Sequence, residues 1–225
     1  MQLKTQISAV LFDLDGTLLD TAPDMVACLH QVCINHGREP VAFEKARSYV
    51  STGALGLLKL AFPEYDEVEL EELRPEYLEI YARNLNTETA LFDSLDELLE
   101  QLEDIDLPWG IVTNKPGFLT MPLLEQLRLA DRCACIVSGD TLPERKPHPA
   151  PLQHAARIIS VNSETSVYIG DAANDIAAGK AAGMKTIAAA YGYVLPQDDA
   201  ANWQADALAA EPGELLECIE ICAEQ

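Results

Sequence analysis

Asp13 and Asp15 leave a short apolar run, Ile7 to Phe12, with one residue between them, and Gly16 and Thr17 follow at once. The run has the composition of a strand buried on both faces of a parallel sheet. Two carboxylates released from such a strand into a turn that Gly16 makes possible cannot both be satisfied by the core they leave. They call for a cation, a reacting phosphate or water. As ordinary turn residues they could also do no more than cap the bend, and three later stretches bear on the choice.

Those stretches are Thr113-Asn114, Lys146, and Asp171 with Asp175. A carboxylate can take up a phosphoryl group and so divide one difficult transfer into two easier ones, which makes Asp13 the candidate nucleophile. Asp15, two residues on, suits the acid and base duties of the two steps. The charge spread over the transferring group needs compensation, for which Mg²⁺, Lys146, the Thr113 hydroxyl and backbone N–H groups are candidates. Gly16, Thr17 and Asn114 complete the candidate phosphate-binding set. Asp13, the main chain at Asp15 and Asp171 form a plausible set for Mg²⁺, with Asp175 ligating directly or through water. Taken singly, Lys146 could be an exposed loop lysine, Thr113 a hydroxyl bonded to its own backbone, and Asp171 with Asp175 a charge pair at a helix start. Side by side they favour one site.

The elements that must bring these residues together can be read from periodicity. A first helix opens at Thr21-Ala22-Pro23, with Asp24 in its first turn, and is stopped by Gly37. From Val41 to about Thr89 the pattern is helical with no convincing strand, broken at Ser51-Thr52-Gly53 and at Arg74-Pro75, which gives a helical insertion of about 70 residues. A helix then follows Phe92-Asp93-Ser94. After Pro108, strands are expected at 109–112, 133–137, 167–169 and 185–190, and helices at 118–127, with Pro122 near its start, 150–159, 173–182 and 213–222. Repeated strand-helix units mean an α/β, doubly wound parallel sheet with helices on both faces. In such a sheet ligands bind beyond the carboxyl ends of the strands, where each polar stretch above falls. Lys146 stands just before a helix start, where N–H groups add anion affinity.

Composition bounds the partners. The formal net charge of -22 argues against a nucleic-acid backbone or an anionic membrane surface. A phosphate site in such a chain needs local cations. The acidic run Glu64 to Glu79 reads as a solvated helical face. The six cysteines contain no C-x-x-C pair, Met1 to Thr5 is too polar for a secretory segment, and no run approaches the roughly 18 apolar residues of a membrane span. A cytoplasmic chain with reduced thiols is expected, acting on a small molecule as a monomer or homodimer.

In order and spacing, DLDGT at 13–17, VTNK at 112–115, Lys146 in KPHP and GDAAND at 170–175 resemble the four motifs of the haloacid dehalogenase superfamily of phosphohydrolases. The resemblance implies a Rossmann-like core over 1–18 and 90–225, a helical cap over 19–89, Mg²⁺ dependence and phosphomonoester hydrolysis. TNKP, KPHP and the YGY at 191–193 resemble the phosphoglycolate phosphatase branch. LFDLDGTLLDTAPDM and the segment through Trp203 also look like the N-acetylmuramic acid 6-phosphate phosphatases. A phosphosugar mutase and a non-catalytic binding module are the readings from other classes. The four acidic and basic residues being present disfavours the second, and the aspartate at 15 disfavours a dehalogenase. Placed by the resemblance over the pocket mouth, Ser51, Thr52 and Gly53 are candidate contacts to the leaving group; the alternative is an ordinary helix connector.

Overall fold

The structure, a computed structural model, describes residues 7–224. The polar start at Met1 to Thr5 lies outside them. Strand β1 (Ala9–Phe12) is buried along its whole length at the centre of a six-stranded sheet. The others are β4 (Trp109–Val112), β5 (Cys135–Val137), β6 (Ser166–Gly170), β7 (Lys185–Ala189) and β8 (Ala207–Ala209). Their spatial order is β5-β4-β1-β6-β7-β8, and every pairing is parallel. The chain therefore builds outward on one side of β1, then crosses back to build on the other. That places the ends of β4 and β6 on either side of the β1 end, at the position where such folds bind ligands.

Strands β2 (Leu19–Asp20) and β3 (Ala90–Leu91) form a two-stranded antiparallel ribbon. Both strands were unforeseen, because two residues carry no periodicity. The ribbon brackets a helical segment made of α1 (Ala22–Asn35), α2 (Phe43–Arg47), α3 (Gly53–Ala61) and α4 (Glu67–Arg83). Asp24 does more there than favour a helix N-terminus. Its buried carboxylate accepts from the backbone N–H groups of Thr87, Glu88 and Thr89 and from the Thr89 hydroxyl, clasping the segment's return to its departure.

Two expectations need correction. Pro75 does not break α4, and Pro122 lies at the sixth position of α6 (Gly117–Gln126) rather than near its start. The carbonyls that each proline leaves unpaired belong to Glu71 and Phe118, both exposed, while Leu70, Leu73 and Tyr77 on α4 and Leu119, Leu123 and Leu124 on α6 bury the opposite faces. The break expected at Ser51-Thr52-Gly53 takes the form of a single 3₁₀ turn, Val50–Thr52, and Gly53 belongs to α3, which follows it directly. Helices α7 (Ala150–Ile159) and α8 (Ala173–Ala182) fall where expected. The remaining helices are α5 (Leu95–Asp104), which buries Leu95, Leu98, Leu99 and Leu102, and α9 (Leu215–Glu224), which packs on β7 and β8. The acidic run is mostly exposed along α4, and Asp66 with Glu69 makes a capping box at its start. All six cysteines are free thiols.

Candidate active site

Asp13, Thr113 and Asp171 each stand one residue past the end of a strand. The Asp13 N–H still donates to the Ile169 carbonyl at 2.8 Å, and the Thr113 N–H to Val137 at 2.9 Å, so the sheet ladder fixes the backbone while the side chain clears the strand end. Gly16 allows the chain to turn back against this group. Its φ is +83°, and a Cβ there would lie 2.1 Å from Asp171 Oδ2. No other residue fits.

Lys146 is the cation at the centre. Its Nζ lies 2.7 Å from Asp13 Oδ1, 2.7 Å from Asp175 Oδ1 and 2.8 Å from the Tyr168 hydroxyl, and the residue is only 5% exposed. It is therefore no exposed loop lysine. Burial alone would pull its pKa down, but Asp13 and Asp175 more than offset this and hold the ammonium charged. Asn114 keeps it in place: its amide nitrogen donates to the Lys146 carbonyl and its oxygen accepts from the Lys146 N–H, both at 3.1 Å. Asn114 thus lines the cavity while its side-chain amide pairs with the Lys146 backbone.

Asp13, Asp171 and Asp175 bring three carboxylate oxygens within 4.8 Å of one another, all buried. Burial pushes Asp13 up to about 6, with Lys146 opposing and Asp175 and Asp15 adding to it. It pushes Asp171 up to about 8, with Asp13 and Asp175 adding. One ammonium among three carboxylates leaves an excess of negative charge that a divalent cation would neutralise. Asp171 Oδ1 is buried and has no hydrogen-bond partner, so the cluster also offers an unused ligand atom. The donors are hard oxygens, and the set fits Mg²⁺.

The Asp15 carboxylate lies outside this cluster. Its Oδ1 accepts from Lys115 Nζ at 2.8 Å, so the side chain is committed to a second lysine and can offer a metal at most its main chain. Lys115 was overlooked as a site residue, although it closes the VTNK motif. Tyr168, Tyr81 and Tyr193 were overlooked too, because their contacts join segments far apart in sequence. Thr113 Oγ1 accepts from the Lys115 N–H at 3.2 Å, which leaves its own proton to be donated. Gly16 and Thr17 do not line the cavity; the Gly16 N–H is taken by Leu19, and Thr17 is fully buried.

The cavity has a volume of about 600 Å³. Ser51, Thr52 and Gly53 line it from the helical side, with Arg74, Tyr77 and Tyr81. The Ser51 hydroxyl donates to Asp171 Oδ2 at 2.6 Å, and the Tyr193 N–H donates to the same oxygen at 2.8 Å. Thr52 turns its hydroxyl to the Tyr49 carbonyl instead.

This chain belongs to the haloacid dehalogenase-like hydrolase family, whose family model matches residues 10–189. It is 46% identical over 209 residues to a phosphoglycolate phosphatase of Xanthomonas campestris pv. campestris, covering 93% of this chain and 95% of the relative. It is 38% identical over 218 residues to an N-acetylmuramic acid 6-phosphate phosphatase of Pseudomonas aeruginosa, covering 96% of each. A crystal structure described as a predicted phosphoglycolate phosphatase, from Haemophilus somnus 129PT, superposes with a TM-score of 0.84 at 25% identity, over 95% of this chain and 98% of that one. Among the described residues no helix is long and apolar enough to cross a membrane.

Proposed function

We propose that this phosphatase hydrolyses small phosphate monoesters through a phosphoryl group carried on Asp13, with phosphoglycolate-type esters as substrates. The observation that carries the reading is the convergence of Asp13, Lys146, Asp171 and Asp175 on one cavity at the ends of β1 and β6, with Thr113 beside them at the end of β4. An Asp13 carboxylate oxygen attacks phosphorus, the ester P–O bond breaks, and the departing oxygen takes a proton from Asp15. Asp15, now a carboxylate, takes a proton from water; that water attacks phosphorus and frees Asp13 and inorganic phosphate. Lys146 and the Thr113 hydroxyl offset the charge on the phosphoryl oxygens in both steps. Asp13, Asp171, Asp175 and the Asp15 main chain would hold Mg²⁺, which supplies further positive charge when bound. Residues 19–89 act as a cap that chooses the leaving group, through Ser51 and Gly53 among others.

The size of the cavity favours a second substrate within the same chemistry. About 600 Å³ falls in the range that encloses drug-sized ligands, far more than a two-carbon acid fills, and Arg74, Tyr77 and Trp203 on its wall suit a phosphorylated amino sugar bearing a carboxylate. Inorganic phosphate released from 2-phosphoglycolate and from N-acetylmuramic acid 6-phosphate, compared as kcat/KM with Mg²⁺ present, decides between them. Turnover that conserves ester phosphate and releases none would point to a mutase instead.

A further inference from the structure

We propose that Lys115 is the positioning residue for Asp15, and that Tyr81 makes this positioning depend on the docked helical segment. The proposal rests on the acid and base roles given to Asp15 above. Two lysines divide three of the site's four carboxylates: Lys146 takes Asp13 and Asp175, and Lys115 takes Asp15. Asp13 and Asp15 repel each other across one intervening residue, and both lie beside a cluster that wants a cation. Holding Asp15 Oδ1 at 2.8 Å, Lys115 keeps that carboxyl off the cluster and leaves its other oxygen to meet the departing group.

Lys115 is itself held on two sides. Its carbonyl accepts from the Gly139 N–H at 2.8 Å and from the Thr120 hydroxyl at 3.2 Å, so its backbone is anchored in the core. Its ammonium donates to the Tyr81 hydroxyl at 2.7 Å and lies 4.5 Å from the centre of that ring. Tyr81 belongs to α4 and is 1% exposed. The acid at residue 15 is therefore braced by a side chain from the helical segment, whose other cavity residues face the leaving group. With the segment docked the brace is complete, so proton donation is best placed in this docked arrangement.

The test uses two esters that differ in their need for a proton. An alkyl phosphate requires one on its departing oxygen, whereas p-nitrophenyl phosphate leaves well without it. Since kcat/KM reports steps up to transfer onto Asp13, it isolates this difference even where later hydrolysis limits kcat. Lys115→Met is expected to lower kcat/KM for the alkyl ester about 100-fold, and for the aryl ester less than about tenfold. Tyr81→Phe, which keeps the ring, should shift the ratio the same way by about three- to tenfold, and Lys115→Arg should recover part of the alkyl-ester rate. Equal losses on the two esters in folded Lys115→Met, or no loss on the alkyl ester, would overturn the proposal. Should Lys115→Met fail to fold, equal losses in Tyr81→Phe and Lys115→Arg would do the same. A wild-type enzyme that releases inorganic phosphate from neither ester would instead sink the phosphatase reading itself.

Discussion

On the strand side of the cavity, Asp13, Thr113 and Asp171 sit one residue beyond β1, β4 and β6, and the Asp13 and Thr113 backbones are held by neighbouring strands. On the helical side, Ser51, Arg74, Tyr77 and Tyr81 come from a 3₁₀ turn and one long helix, and reach the strand side through side chains alone: Ser51 to Asp171, Tyr81 to Lys115. The contrast is one of rigidity. A group fixed by a sheet ladder keeps its geometry whatever ester arrives, while a wall that shares the apolar core but meets the site through single side-chain contacts can adjust to the group it covers. Damage to the strand side should therefore hurt every substrate alike, and damage to the helical side should discriminate among them.

Lys146→Met gives the largest expected effect. It leaves Asp13 and Asp175 buried without their cation, which costs about 3–5 kcal/mol of folding stability, and it lowers kcat/KM for every ester by about 1,000-fold. Denaturant melts and a two-ester comparison check this; a loss confined to one ester would break the contrast. Gly53→Val comes next. Gly53 adopts φ 73° and ψ −171°, a region only glycine enters freely, although a Cβ would meet no atom within 4 Å. The obstacle is the backbone, so the turn must shift and carry Ser51 off Asp171. A bulky sugar phosphate should lose about tenfold in kcat/KM and p-nitrophenyl phosphate less than about threefold. Identical losses would return this turn to the status of a connector.

The smallest effect concerns charge. Asp13 and Asp171 are raised to about 6 and about 8, above their ordinary carboxylate value of 3.8. A raised carboxyl contributes stability that is fully present below its unfolded pKa and is lost as pH rises through the folded one. The metal-free protein should lose stability between about pH 4 and 8, and Mg²⁺ should raise Tm more at pH 8 than at pH 5.5. Equal Mg²⁺-dependent shifts at the two pH values would show that these carboxylates are not where the cation binds.

The same contrast explains what could be read from the sequence. Asp13, Lys146, Asp171 and Asp175 were legible because each sits at a strand end or helix start that periodicity marks, and α7 and α8 were legible because their caps and apolar spacing agree. The Lys115 bridge was not, since it joins residues 15, 81 and 115, and no local pattern records which lysine reaches which carboxylate. Asp24 looked like a helix-start charge, yet its four donors lie more than 60 residues away. Gly16 and Thr17 were named as candidate phosphate contacts; neither lines the cavity, and Gly16 makes a close approach to Asp171 that no local pattern records.

The central claim is that phosphorus passes through Asp13, and trapping it there is the direct test. In Asp15→Asn, p-nitrophenyl phosphate can still transfer its phosphoryl group, because its leaving group needs no proton, but the base that activates water is gone. Quenching this variant after mixing with radiolabelled ester, then mapping the label by proteolysis, should give about one phosphoryl per chain on the peptide that contains Asp13, with little free phosphate. Continued release of free phosphate with no label on the chain, or label on another residue, would contradict the account.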